Sequence, residues 1–398
     1  MDPVTNPYAP GAGTPPPELA GRDQLRERLR INIQRLRRGR SAKSLLMVGL
    51  RGVGKTVLLE RMRQDAEAEG IHTVRLEAPE YRSLPALLAP QLRLALLRLS
   101  RTQQARALAQ RGLSALAGFA RALKVKYQDI EVGFDAEPEP GLADNGDLEL
   151  DLAMLLEEVG RASREAGTAL VMFVDELQYV AEEQLAALIS ALHRCAQLAL
   201  PVSLVGAGLP QLRGRAGKAK SYAERLFDYP EIGPLDDESA TRALVNPARK
   251  EGVGFEPEAI VAILAASRGY PYFLQEWASH TWDIAVQSPI IKADVESATP
   301  EVIAALDANF FMVRFDRITP AGRRYLRAMA ELGAGPHRSG EIAAVLGKSV
   351  RSLAPIRAAL IEDGMLWSPG HGQTAFTVPL FDDFMRRSMP GEDWKQTT

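Results

Sequence analysis

Residues 49–56 read Gly-Leu-Arg-Gly-Val-Gly-Lys-Thr: two glycines framing four positions, then a lysine and a hydroxyl. This spacing can wrap a phosphate. The backbone N–H groups of such a loop turn toward phosphate oxygens, and the helix that follows points its positive dipole end at the same anion. Lys55 is placed to bridge the outer phosphates, and Thr56 to offer its hydroxyl to a Mg ion. Gly52 and Gly54 let the backbone approach a nucleotide closely. The positions expected to face it are Gly49, Arg51, Gly52, Val53, Gly54, Lys55, Thr56 and Val57. A second group, Asp175-Glu176, ends the apolar run Ala169-Leu170-Val171-Met172-Phe173-Val174. Asp175 suits the Mg shell, through water, and Glu176 suits the orientation and deprotonation of an attacking water. A plain glycine turn, or a strand running into a turn, would give either set of letters alone. Together in one chain they point to metal-assisted phosphoryl transfer from a nucleotide.

Both groups need a parallel sheet to hold them. Leu45-Leu46-Met47-Val48 precedes the glycine loop as a strand, and Val57-Leu58-Leu59-Glu60-Arg61-Met62 resumes apolar residues at helical spacing after it. The continuous apolar run before Asp175 is that of a strand covered on both faces, as in parallel sheets. Open α/β sheets bind ligands at the carboxyl ends of their strands, where both groups lie.

Length and composition bound the rest. With 398 residues the chain exceeds the size at which single cores stop growing, so two or three domains are expected. A net charge of −2 predicts no strong overall attraction to nucleic acid, although 48 Lys and Arg leave room for a local basic surface. The one cysteine, Cys195, lies in an apolar-patterned helix, reads as a buried structural thiol, and suits a reducing cytoplasm. The N-terminus shows no basic segment followed by an apolar one, so no secretion signal is expected. No window is apolar for long enough to span a membrane. The five histidines are scattered without metal-ligand spacing.

In chain order, residues 1–17 end in Pro15-Pro16-Pro17 and are expected as an extended tail. Asp23 is placed to cap an amphipathic helix with a Leu25, Leu29, Ile33 and Leu36 stripe and an Arg-rich outer face, Arg22 to Arg40. That face is by default solvated, with phosphate tracking as the alternative. A second strand follows at 71–76 and two helices at 84–122. Val125, Tyr127, Ile130, Val132 and Phe134 suggest a short β excursion. A helix capped by Asp147 runs to about Ala166, and another spans 182–198. A fourth strand at 201–208 leads to the basic, glycine-containing stretch 213–220, expected as a loop. A short helix over 222–227 then precedes a fifth strand near 229–232. From Asp236 the pattern is helical, with Gly269-Tyr270-Pro271 between two helices and a connecting helix at 301–312. The last section has helices at 320–332, from Ser339 to Leu346 and from Ser349 to about Glu362, then a hairpin of 365–368 with 374–378. Three helices closed by a hairpin is a winged-helix pattern.

With these pieces in order, residues 18–387 resemble an AAA+ ATPase of the group holding origin-recognition initiators, transposition helpers, and archaeal or STAND-type ATPases. The resemblance implies an α/β P-loop NTPase fold: a five-stranded parallel sheet with helices on both faces, a helical lid and a C-terminal winged helix. The implied divisions are a disordered tail at 1–17, a nucleotide-binding domain at 18–235 and a lid at 236–300. A connecting helix at 301–318, a winged helix at 319–388 and a tail at 389–398 complete them. It implies ATP and Mg2+ as cofactors. Gly21-Arg22-Asp23 is similar to the segment that lies near the adenine, which makes Arg22 a nucleotide contact. Gly269-Tyr270-Pro271 is similar to the Gly-x-Pro of the STAND-type lid, whose proline sits against the base, so Pro271 is a second contact. A proline at a helix N-terminus is favoured there in any case. Arg225 stands where AAA+ members often keep an arginine that reaches a neighbour's γ-phosphate, implying a nucleotide-dependent homo-oligomer. Two departures stand out: Gly206-Ala207-Gly208 where many members place a polar sensor, and Pro271-Tyr272 where many place a lid arginine. Fewer positioning groups imply slow hydrolysis.

Two functions follow. One is a DNA-associated ATPase whose wing grips a duplex through Lys348, Arg351 and Arg357. The other is a signalling or defence switch whose C-terminal domain contacts a protein. A non-hydrolysing scaffold is disfavoured by the intact Lys55, Asp175 and Glu176.

Overall fold

The computed structural model describes residues 1–11, 13–78, 82–130 and 136–395. It divides into two compact bodies, one of residues 22–49 and 55–232, the other of 1–21, 50–54 and 233–398.

In the first body β1 (Ser44–Val48), β2 (His72–Glu77), β3 (Leu170–Asp175), β4 (Val202–Gly208) and β5 (Phe227–Asp228) form one sheet in the order β2-β3-β4-β1-β5. All its pairings are parallel, with Leu45 opposite Val205 and Met172 opposite Leu204. This order sets β1 beside β4 and β4 beside β3, so Gly49 and Lys55, which flank the glycine loop, lie at the same end of the sheet as the carboxylates after β3. The helices are α1 (Asp23–Arg37), α2 (Lys55–Ala68), α3 (Leu84–Leu99), α4 (Arg106–Leu123), α5 (Leu148–Glu165), α6 (Glu182–Gln197), α7 (Leu212–Ala219) and α8 (Ala223–Leu226). Every residue of β1, β3 and β4 is buried, the consequence of covering a parallel sheet on both faces. Leu46, Met172, Val174 and Leu204 belong to one core with Leu92, Phe119, Leu155 and Leu188 of the helices.

Several local expectations change here. Asp147 caps α5 as expected, accepting from the amides of Glu149 and Leu150, but α1 begins at Asp23 with Arg22 in the cap position and no side-chain cap bond. The Arg-rich face of α1 is held by local partners: Arg26 pairs with Asp65 at 2.8 Å, Arg28 with Asp228 at 2.8 Å and Arg30 with Glu27 at 2.7 Å. Of the stretch 213–220, expected as a loop, residues 213–219 belong to α7. Leu212 and Ala216 anchor one side of that helix in the core, and this burial outweighs the helix penalty of Gly214 and Gly217. The fifth strand starts earlier than expected, at Phe227, with a further bridge from Glu231 to Val48. Of the expected β excursion, residues 125–130 form turns, while Val132 and Phe134 lie outside the described residues. Cys195 is fully buried on α6, and burial pushes its thiol up to about 12.

The second body is helical at first: α9 (Asp237–Lys250), α10 (Pro257–Ser267), α11 (Pro271–Ile284) and α12 (Lys292–Leu306). The connecting helix thus begins earlier than expected, and it continues through a π-helical turn at Asp307–Phe311 into α13 (Met312–Phe315). Then come α14 (Pro320–Glu331), β6 (His337–Arg338), α15 (Ser339–Leu346), α16 (Val350–Glu362), β7 (Leu366–Trp367), β8 (Gln373–Phe376) and α17 (Phe381–Ser388). β6, β8 and β7 make an antiparallel sheet in that order, which adds a strand to the expected hairpin. Ser349 caps α16 by accepting from the Ser352 amide. Residues 1–10 correct the expectation of a free tail. Tyr8 is buried with its hydroxyl donating to the Leu244 carbonyl at 2.5 Å, and Asn6 donates to Asp283 at 2.9 Å. Trp282 Nε1 also donates to the Asp2 carbonyl at 3.1 Å, and Pro3 opens a short 3-10 turn, Pro3–Thr5, where its missing N–H costs nothing.

Candidate active site

In the first body the side chains expected to do chemistry converge. Lys55 opens α2 and is buried, its Nζ donating to the Gly49 carbonyl at 3.0 Å. Gly49 is itself fixed by its amide, which donates to the Gly208 carbonyl at 3.2 Å. Thr56, next on the helix, has its hydroxyl close enough to Asp175 at the end of β3 to favour the ionised carboxylate. Asp175 is 5 % exposed. Burial raises its pKa above the usual carboxylate value, partly opposed by the Thr56 hydroxyl and by Lys55, while the adjacent Glu176 raises it further. A buried acid whose partners are a hydroxyl and a lysine is suited to take a cation.

Glu176 has φ 52° and ψ 37°, in the left-handed region that non-glycine residues rarely adopt. Such a conformation costs on the order of 1–3 kcal/mol and persists where the surroundings enforce it. Here the Glu176 amide donates to Asp175 Oδ1 at 2.9 Å, and Gln178 Nε2 donates to Glu176 Oε2. The turn Leu177–Tyr179 is clasped from α7 by Arg215, whose guanidinium donates to the carbonyls of Gln178 and, at 2.7 Å, Val180. Gln178 and Arg215 were absent from the sequence-based candidates. The one signal available was a carboxamide two places after the carboxylate pair.

The middle of the glycine loop, Leu50–Gly54, belongs to the second body. Gly52 and Gly54 have φ 77° and 85°, so their requirement for glycine lies first in the backbone. A Cβ at Gly54 would meet nothing within 4 Å, which leaves the space an anion needs. In this body the Arg51 amide donates to the Thr377 carbonyl at 3.0 Å and the Tyr272 amide to the Gly52 carbonyl at 3.2 Å. Val53 is buried. Pro271 stands in the first turn of α11, and Tyr272 after it stacks on Phe310 with ring centres 4.9 Å apart.

The remaining candidates are placed as follows. Val57 is in the first turn of α2, half-buried, and Arg22 is half-buried at the start of α1. Arg225 is exposed on α8, while the nearby Asp228 is occupied by Arg28. Lys348 and Arg351 are exposed at the start of α16. Arg357 departs from its expected outward role. Its Nε donates to Thr374 Oγ1 at 2.7 Å, and Nη2 to Ser368 Oγ at 3.0 Å and the Gln373 carbonyl at 2.8 Å.

Among the described residues no three His, Cys, Asp or Glu form a metal cluster. One hydroxyl and one buried carboxylate fit a Mg2+ that takes its other ligands from water and phosphates. Among the described residues no helix is long and apolar enough to cross a membrane.

Comparisons with known proteins agree with this geometry. Residues 18–205 match the AAA ATPase domain family, and residues 308–385 match a domain family of unknown function. No curated protein sequence matches the chain. Among solved structures it is similar to the Walker-type ATPase PABY2304 of Pyrococcus abyssi, at 14% identity and TM-score 0.58, covering 94% of this chain and 98% of that one. It also aligns with ORC1 of Aeropyrum pernix, solved in complex with DNA, at 16% identity and TM-score 0.47 over 94% of each chain. RuvB of Thermotoga maritima, a Holliday junction branch migration motor, aligns at 15% identity and TM-score 0.43, over 89% of this chain and 92% of that one. Residues 18–205 thus match an AAA ATPase domain, and the five-stranded parallel sheet of the first body has the P-loop NTPase fold.

Proposed function

We propose that this protein binds ATP with Mg2+, hydrolyses it slowly and couples the nucleotide state to a change of conformation read by a partner of its C-terminal domain. The observation that carries the proposal is the convergence of the buried Lys55, bonded to the Gly49 carbonyl, with the neighbouring Thr56 and the buried Asp175 at the end of β3. Bound Mg2+ supplies charge neutralisation of the phosphates, and Thr56 and Asp175 would hold it. Lys55 leaves the Gly49 carbonyl to bind the outer phosphates. Glu176 orients the attacking water and accepts its proton. Gly49, Arg51 to Thr56 and Val57 line the phosphates, with Arg22 and Pro271 toward the base. Arg225 reaches the γ-phosphate of a neighbouring copy, for which its exposure and lack of competition from Asp228 are the support. The glycine-lined end of β4 gives no polar sensor, which supports slow turnover. The bonds from Arg51 to Thr377 and from Tyr272 to Gly52 support coupling, because a phosphate that reshapes the loop must act on both.

The partner divides into two readings. A winged helix gripping duplex DNA is supported by the exposed Lys348 and Arg351 at the start of α16. A protein partner is supported by Arg357, which is tied into the hairpin and leaves Ala354, Ala358 and Ala359 on the exposed face.

Nucleotide binding and turnover, measured on the wild type, Lys55→Ala and Glu176→Gln, test the chemistry. Lys55→Ala is expected to lose tight ATP–Mg binding. Glu176→Gln is expected to bind and to lose about 10²–10⁴ in rate. Equal affinity in wild type and Lys55→Ala rejects the assignment. Titration of the full chain against duplex DNA at two salt concentrations, with and without ATP, tests the partner. On the DNA reading, removing Lys348 or Arg351 lowers the log-log salt slope by about 1 each. No salt-sensitive binding in either nucleotide state leaves the protein-partner switch.

A further inference from the structure

We propose that Gln178 is a positioning residue for Glu176, holding one of its carboxylate oxygens from the turn after β3. The inference rests on Glu176 acting on the attacking water, as proposed above.

Gln178 is 2 % exposed, and both ends of its carboxamide are used. Oε1 accepts from the Leu209 amide at 3.1 Å, and Nε2 donates to Glu176 Oε2. This orientation is fixed by chemistry: a backbone N–H can only donate, so the oxygen must face Leu209 and the NH2 must face the carboxylate. The side chain therefore ties Glu176 to the residue that follows β4. One carboxylate oxygen of Glu176 is held and the other remains for water.

The same contact explains the glycine at the end of β4. A Cβ on Gly208 would lie 2.7 Å from Gln178 Oε1 and 2.9 Å from Leu212 Cδ2. The Gln178 carboxamide fills the space a side chain there would need. Arg215 completes the arrangement by holding the backbone of the turn through the Gln178 and Val180 carbonyls, and the left-handed conformation of Glu176 points its side chain back toward that turn.

The test compares Gln178→Met and Gln178→Glu in the full chain, each alone and combined with Glu176→Gln, reading kcat, nucleotide affinity and thermal stability. Methionine keeps the volume and removes both hydrogen bonds. Glutamate keeps an acceptor for Leu209 but sets a like charge against Glu176. Misplacing a reacting group by about 1 Å costs about 10² in rate. Gln178→Met is therefore expected to lose about 10² in kcat with nucleotide affinity unchanged. Gln178→Glu should be impaired at least as much, although it keeps the Leu209 bond, and neither change should slow Glu176→Gln further. Gly208→Ala, which displaces the carboxamide without touching either residue, should lower kcat in the same direction. If Gln178→Met keeps its rate while Glu176→Gln loses it, or if Gln178→Glu is near wild type, the positioning role is overturned. If Glu176→Gln itself keeps full turnover, the hydrolysis assignment fails and this inference falls with it.

Discussion

The end of the parallel sheet and the C-terminal hairpin use charged groups in opposite ways. In the hairpin, the Arg357 guanidinium meets a hydroxyl on Thr374, another on Ser368 and the Gln373 carbonyl, so its Nε and Nη2 donate inside the domain. At the end of β3, Asp175 is buried with a hydroxyl and a lysine for company, and burial holds its pKa up. A charge with local partners maintains a shape, whereas a buried acid held above its usual pKa is a charge that its surroundings oppose. The number of charged residues therefore says little about function in either region. What distinguishes them is whether the surroundings favour the charge, as three acceptors do for Arg357, or oppose it, as burial does for Asp175.

Three experiments sharpen this contrast. The largest effect is expected at Arg225, exposed on α8. A trans arginine supplies about 10³–10⁵ in rate. Arg225→Ala should lose that much, and mixing it with Lys55→Ala should recover part of it wherever mixed interfaces form. No recovery in a preparation shown to co-assemble would remove Arg225 from the site. A smaller effect is expected at Arg357. Arg357→Ala should destabilise the C-terminal domain by about 1.5–3 kcal/mol, the scale of hydrogen bonds to a charged group, while nucleotide affinity stays as in wild type. Denaturation followed at Trp367, next to the clasp, together with nucleotide binding, reads both quantities.

The smallest effect concerns Asp175 in protein free of nucleotide and metal. Its folded pKa is raised, so between the ordinary carboxylate value and the raised one the folded chain holds a proton that the unfolded chain has lost. Stability accordingly falls as pH rises through that window, and the cost persists at neutral pH. Asp175→Asn should be at least as stable as wild type at pH 7 and lose that advantage as pH falls below the ordinary carboxylate range. Its stabilisation by Mg–ATP should disappear. Chemical denaturation at two pH values, with and without the ligand, measures each part, and a variant less stable than wild type at pH 7 would contradict the sign.

The glycine loop, the strand ending at Asp175 and the helices around them could be read from the letters because each depends on local pattern: apolar runs, a cap, a fixed glycine spacing. The features that could not be read depend on what lies across space. α7 is hidden by Gly214 and Gly217, and only the burial of Leu212 and Ala216 makes it a helix. Tyr8 looks like part of a proline-rich tail until its hydroxyl finds Leu244. Helical periodicity puts Arg357 on the outer part of α16, but the hydroxyl that captures it is on β8. Gln178 is the clearest case. Its reach to Glu176 depends on a left-handed residue for which glutamate has no local preference, and on a glycine at the end of β4.

The buried thiol on α6 makes the chain report its own opening. Cys195 is the one cysteine in these 398 residues, and the thiolate that would react with an alkylating reagent is suppressed by burial. Labelling at that atom therefore requires α6 to come away from the core, and where reclosing is faster than labelling, the rate measures how often the first body opens. A nucleotide that binds only the closed body slows the labelling by the factor 1 + [L]/Kd. The unmodified protein thus contains a chemical clock for ligand binding that needs neither turnover nor an introduced probe.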